Sequence, residues 1–182
     1  MQRSILGLHH VTATVSQAQP DLDFYRGALG LRLVKKTVNF DNPNVYHFYY
    51  GDEWGVPGTI WTTFPYGGWG VAPGQHGTGQ ITTTSFSIPV GSLSRWTQRL
   101  QDKGISVQED SDSGEDAIVF TDPSGLRVRL TETRDDSRTP WIGNGLSADM
   151  AIRGLHSVTL TVTAPGPSLS FARDLLGFEV VD

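Results

Sequence analysis

Apolar and polar positions alternate near the start of the chain, and the same alternation returns near its end. Val11, Ala13 and Val15 interleave with Thr12 and Thr14 behind Gly7-Leu8-His9-His10. A run rich in β-branched residues and free of Pro predicts a strand. Neighbouring side chains on a strand point to opposite faces. One of His9 and His10 is therefore expected to look into a site, while the other packs behind it or reaches the same site from the rim. The pattern recurs as Gly154-Leu155-His156-Ser157-Val158-Thr159-Leu160-Thr161-Val162. At a constant offset of 147, positions 7–34 and 154–181 agree at 14 of 28. Unrelated segments of ordinary composition would share roughly one or two. The chain thus contains an internal repeat, and a repeat constrains the fold before any single element does. The second copy keeps the strand but not its second histidine: Ser157 stands where the first has His10.

Between the copies the pattern predicts two βαβββ units. In the first, residues 21–29 have Leu22, Tyr25, Ala28 and Leu29 at helical spacing, with Pro20 ahead and Gly30 as the stop. Strands are expected over 31–40, 45–50 and 58–64, separated by turn residues. A Gly-rich loop follows, from Pro65 to Gly79. The second unit starts with a Thr-rich strand over 80–88. Its helix over 92–103 carries Leu93, Trp96 and Leu100 on one face, and short strands follow over 105–109, 116–121 and 126–133. Module 1 thus covers about 5–66 and module 2 about 77–134, the two together making up 1–134. Residues 135–151 read as a polar linker, and 152–182 as a third module begun but not completed. A lone strand and helix cannot bury both apolar faces. Residues 152–182 are therefore expected to dock on the first module or to exchange between the subunits of a homodimer, in a chain shortened relative to its relatives.

Composition narrows the classes. The 182 residues carry a net charge of −5 and no Cys. No cluster of Lys and Arg points to nucleic acid or an anionic membrane. The missing thiols remove a disulfide framework, a thiolate metal site and a cysteine nucleophile, and fit a cytoplasmic protein. Residues 1–6 do not resemble a signal peptide, and no apolar run approaches membrane-span length.

His10 is the leading candidate metal ligand, because imidazole beside carboxylate suits a divalent metal such as Fe(II). At the matching strand positions stand Gln80, Arg129 and Trp61, none of them a strong ligand. His47 lies in an aromatic strand and reads as packed; His76, in the Gly-rich loop, reads as solvated. The acidic run from Asp110 to Asp116, with Asp112 and Glu115, does not match an EF-hand and reads as a solvated turn. The Gly-rich loop opens no helix and lacks a phosphate-loop Lys.

Taken together, His9-His10-Val11-Thr12, Leu22-Asp23-Phe24-Tyr25, Leu29-Gly30-Leu31-Arg32, Tyr46-His47-Phe48-Tyr49-Tyr50-Gly51-Asp52-Glu53 and Arg153-Gly154-Leu155-His156-Ser157 resemble the vicinal oxygen chelate superfamily. Within it they are most similar to ring-cleaving dioxygenases of the hydroquinone type. The resemblance implies an α+β fold in which paired βαβββ modules form a cupped mixed sheet. It also implies mononuclear Fe(II), or Mn, held by two His and one Glu, with O2 inserted into a small aromatic diol. His10 matches the ligand of the first module; the other two ligands belong to a fourth module. His9 and Thr12 match positions that orient substrate and dioxygen. Two alternatives use the same fold. One is a glyoxalase-like lyase or isomerase. The other is a non-catalytic binding module with a cup lined by Tyr46, Phe48, Tyr50 and Trp61.

Overall fold

The computed structural model describes residues 5–72, 74–111 and 114–181. Residues 1–4, Asp112 and Asp182, which entered the readings of the N-terminus, the acidic turn and the third module, lie outside the described residues.

The first module runs β1 (His10–Val15), α1 (Ala18–Leu22), β2 (Arg32–Val38), β3 (Tyr46–Gly51) and β4 (Ile60–Pro65). Helix α1 continues into a π-helical stretch, Asp23–Ala28, that Leu29 closes by donating its N–H to Phe24 O. Gly30 then adopts a φ of 73°, the left-handed stop its position predicted. The second module runs β5 (Gln80–Ile88), α2 (Leu93–Asp102), β6 (Gln108–Asp110), β7 (Ala117–Thr121) and β8 (Arg127–Glu132). The repeat follows as β9 (Gly154–Thr161) and α3 (Pro165–Asp174). Its backbone matches the first copy closely: Gly7 and Gly154 share a φ of 151°, and Gly30 and Gly177 lie at 73° and 75°.

The strands form two sheets, β1-β4-β3-β2 and β6-β7-β8-β5-β9. In each module the first strand pairs parallel with the last, β1 with β4 and β5 with β8. One hydrophobic core joins the modules. Tyr25 packs on Tyr50 and Trp61 at centroid distances of 5.3 and 5.4 Å, and Trp61 meets Phe86 at 6.3 Å. Polar groups are buried there in pairs. Tyr50 and Thr63 both donate to Asp21 Oδ2, at 2.6 and 2.7 Å, and Tyr25 donates to Asp122 Oδ2 at 3.0 Å. Burial pushes the Asp21 carboxyl up to about 6, with the nearby Asp122 charge adding to the rise; the two hydroxyl donors offset part of it.

The third-module segment docks mainly on the second module, and Leu155 of β9 also donates its N–H to Gly58 O of the first at 2.8 Å. β9 pairs antiparallel with β5, Ser85 lying opposite Ser157, and so extends the second sheet by one strand. The reason is geometric. β5 has an open edge away from β8, and an alternating strand saves backbone hydrogen bonds only against such an edge. The intervening stretch is tied to both modules. Arg138 donates to Gly58 O at 2.8 Å, Arg99 to Asn144 O at 3.0 Å, and Trp96 Nε1 to Met150 O at 2.9 Å.

Candidate functional site

Alternation divides the first sheet into two faces. Val11, Phe48, Tyr50 and Trp61 form the inner face, each no more than 6% exposed, against the helix. Cross-strand pairing arranges the outer face in rows. His10 lies beside Ile60. Thr12, Thr62, Tyr49 and Lys35 span all four strands. Thr14 lies beside Phe64 and Thr37 beside His47, and the His47 and Phe64 rings close the third row at 3.9 Å.

This division corrects two expectations. The supposed aromatic lining of Phe48, Tyr50 and Trp61 faces the core, and only Tyr46, on the same strand parity, reaches solvent at 44% exposure. The outer face carries His47, Tyr49 and Phe64 instead. Trp61 is likewise not the β4 counterpart of His10: it pairs with Val11, and His10 pairs with Ile60. Gln80 pairs with Thr161 and Arg129 with Ser85, so both stand on the second sheet.

His9 precedes β1, and its ring is not confined to the opposite face. The His9 and His10 Nδ1 atoms lie 3.1 Å apart, with the rings edge to face at 5.3 Å. His9 thus reaches the His10 side from the rim. Both are exposed, and among the described residues β1 pairs only with β4, leaving its other edge open. Thr62 donates to Thr12 Oγ1 at 2.9 Å. Thr12 is exposed and Thr62 buried, so Thr12 presents its hydroxyl at the surface of the row.

His47, which the sequence reading took as packed filler, shares this face. Its Nδ1 lies 3.0 Å from the Tyr49 hydroxyl, and its ring sits between Tyr49, at 4.1 Å, and Phe64. Its buried Nε2 has no hydrogen-bond partner among the described residues. Burial first, and then the Lys35 and His10 charges, lower its pKa, which favours the neutral ring. The signal for His47 and Tyr49 was present in the sequence. Once Phe48 and Tyr50 are assigned inward, strand parity sends both outward. His76 is exposed, its Nε2 3.2 Å from Gly125 O.

The repeated strand β9 has a different setting. His156 Nδ1 lies 3.0 Å from Ser157 Oγ, repeating the His9–His10 contact with serine in place of the second imidazole. His156 Nε2 lies 3.2 Å from Glu115, and Arg129 pairs with Asp110 at 3.1 Å and with Glu115 at 3.6 Å.

The metal implied by the resemblance can be tested against these residues. Among the described residues no three His, Cys, Asp or Glu side chains converge to hold an ion. His10, exposed on an edge strand, suits a single imidazole ligand. The two-histidine, one-carboxylate set is not assembled by the described residues.

Two sheets built from βαβββ units, each with its first strand parallel to its last, define a fold shared by several chemistries rather than one reaction. The chain belongs to the Glyoxalase/Bleomycin resistance protein/Dioxygenase superfamily, whose family model matches residues 7–130. It is 42% identical over 175 residues to "Putative ring-cleaving dioxygenase MhqE" of Bacillus subtilis, covering 96% of this chain and 57% of that protein. It is 38% identical over 172 residues to the chlorohydroquinone/hydroquinone 1,2-dioxygenase of Sphingobium indicum, covering 92% and 53%. A crystal structure named as a "putative dioxygenase" from Bacillus subtilis superposes with a TM-score of 0.90 at 39% identity, over 95% of this chain and 55% of the other. The chain therefore spans little more than half the length of these relatives. No helix among the described residues is long and apolar enough to cross a membrane.

Proposed function

We propose that the outer face of the first sheet is one wall of the active site of a ring-cleaving dioxygenase acting on an aromatic diol of hydroquinone or catechol type. The observation that carries the reading is the His9–His10 pair at an open strand edge. It shares its face with Thr12, Tyr49 and His47, in a chain about 40% identical to proteins named as ring-cleaving dioxygenases. His10 is the metal ligand of this wall. His9 holds and exchanges a proton beside it, and the Thr12 hydroxyl orients a bound oxygen group. The metal is Fe(II) or Mn, whose role when bound is to bring diol and O2 together; its remaining ligands come from outside this face. A further segment or a second copy of the chain in a homodimer supplies them at the β1 edge. The setting is cytoplasmic, in keeping with a chain without Cys.

The test is a chimera in which these 182 residues replace the matching half of the Sphingobium relative. Oxygen uptake with hydroquinone, lost in His10→Ala, is the expected result. A folded chimera whose uptake survives His10→Ala contradicts the reading.

The open outer face also supports a second reading, a binding module for aromatic molecules without chemistry of its own. Hydroquinone binding with no oxygen uptake by the folded, iron-loaded chimera would favour it.

A further inference from the structure

Away from the diol wall, a cavity of about 500 Å³ opens at the junction of the two modules. Its origin is a short strand. β6 begins at Gln108, level with Val119, so Phe120 and Thr121 of β7 run on with no strand beside them on that edge. Gly104 closes helix α2 with a φ of 75°, and residues 104–106 border the gap instead of filling it. One side of the cavity is apolar. Phe24 of the first module and Phe120 of the second lie there, with ring centroids 6.1 Å apart, beside Ile105. The other side is polar. Thr121 is directly opposite Arg127 and Gln108 opposite Val119, so strand pairing sends Gln108, Thr121 and Arg127 to one face. Ser106 joins them. These four side chains are exposed, and none of them makes a hydrogen bond or an ion pair among the described residues. Asp122 borders the cavity too, but its carboxylate is already satisfied. Tyr25 donates to Oδ2 at 3.0 Å, and the Ser124 and Leu126 N–H groups donate to Oδ1 at 2.8 Å. Among the described residues, Arg127 is therefore the one charged group of the lining with which a ligand can pair.

A planar guanidinium matches a carboxylate, which it holds through two parallel N–H···O bonds. A lone ion pair at the surface contributes little, so the apolar side decides which carboxylates bind. A ring buried against Phe24, Phe120 and Ile105 supplies what the ion pair lacks. We infer that this cavity is a binding site for a small monocarboxylate with an aromatic or apolar body. An acid bound there touches Phe24 and Arg127 together and so bridges the modules. No residue assigned to the diol wall, neither His9, His10, Thr12, His47 nor Tyr49, borders the cavity, so this site stands or falls independently of that reading.

The test follows the backbone amides of the full chain during titration with benzoate, and with benzamide and acetate as its neutral and ringless counterparts. Benzoate should shift Ser106, Gln108, Thr121 and Arg127 with one-to-one saturation, and should raise the melting temperature. Benzamide and acetate should each bind roughly tenfold more weakly, the first lacking the charge-assisted hydrogen bonds and the second the ring. Arg127→Gln should bring benzoate down to the affinity of benzamide, and Arg127→Lys should restore part of the loss. Both variants should stay folded, because the position is exposed. Ser106→Trp, which fills the cavity from its rim, should abolish the shifts. Benzoate and acetate acting alike, or benzoate binding unchanged in Arg127→Gln, would mean loose screening of surface charge and overturns the inference. So does the absence of benzoate-induced shifts at these four residues.

Discussion

The strands β1 and β9 carry nearly the same sequence and backbone, yet their surroundings differ in one respect. Around β9 the polar groups satisfy one another: His156 holds Ser157 and Glu115, and Arg129 holds Glu115 and Asp110. Around β1, the His9 and His10 side chains hydrogen-bond only each other among the described residues, and the buried His47 Nε2 has no partner among them. The helices differ in the same direction. Phe24 is 4% exposed in the first copy, while its counterpart Phe171 is 54% exposed in the third, where no following strands cover it among the described residues. A copied strand is a scaffold, and what lies around it decides whether it can do chemistry. The ion-paired side chains at β9 offer a ligand less to complete than the exposed histidine pair at β1.

The largest expected effect lies in exchanging the one residue that distinguishes the strands. His10→Ser should lower oxygen uptake by the chimera more than about a hundredfold, the upper range for residues that merely support a ligand. Ser157→His should restore none of it. Equal loss from His156→Ser would erase the distinction between the copies.

Arg129→Met should act on stability alone. It strands Asp110 and Glu115 beside each other, and the loss should be about 2–4 kcal/mol by urea denaturation, below the full cost of a buried charge because Glu115 is partly exposed. Oxygen uptake per folded molecule should not change.

Asp21 provides a pH test of the first module's core, because the third copy has Ser168 in its place. The folded carboxyl is raised from 3.8 to about 6. The folded state therefore holds the proton more tightly than the unfolded chain. The parent should lose stability as pH rises from about 4 to 6, by roughly 3 kcal/mol at 1.36 kcal/mol per unit. In Asp21→Asn that slope should vanish, so the variant gains on the parent as pH rises. Parallel curves over this range would show that Asp21 is ionised throughout.

His9→Gln should have the smallest effect. Uptake should fall about tenfold, the lower range for a residue that supports a ligand, since His10 itself stays. Stability should remain within about 0.5 kcal/mol, because His9 is exposed.

Much of this was legible in the sequence, because local patterns carry it. The repeat exposed β1, β9 and the single histidine that separates them. Gly and Pro positions set the module boundaries, and β5 was read to the residue. What failed was the assignment of faces. β3 carries rings on both faces, so hydropathy gives no phase, and only packing against Tyr25 shows that Phe48 and Tyr50 point inward. The docking of β9 on β5 was equally out of reach, since it depends on which strand edge is open in space. The ion pairs of Arg129 were out of reach for the same reason, since their partners come from β6 and the loop before β7.

The most direct test of the central claim, that β1 is the ligand strand and β9 is not, is titration of the full chain with Mn(II) while its amide resonances are followed. Paramagnetic broadening detects even weak capture by a single imidazole. The account predicts broadening at His9, His10 and Thr12, removed by His10→Ala, with His156 and Ser157 unaffected. Broadening centred on β9, or unchanged in His10→Ala, would contradict it.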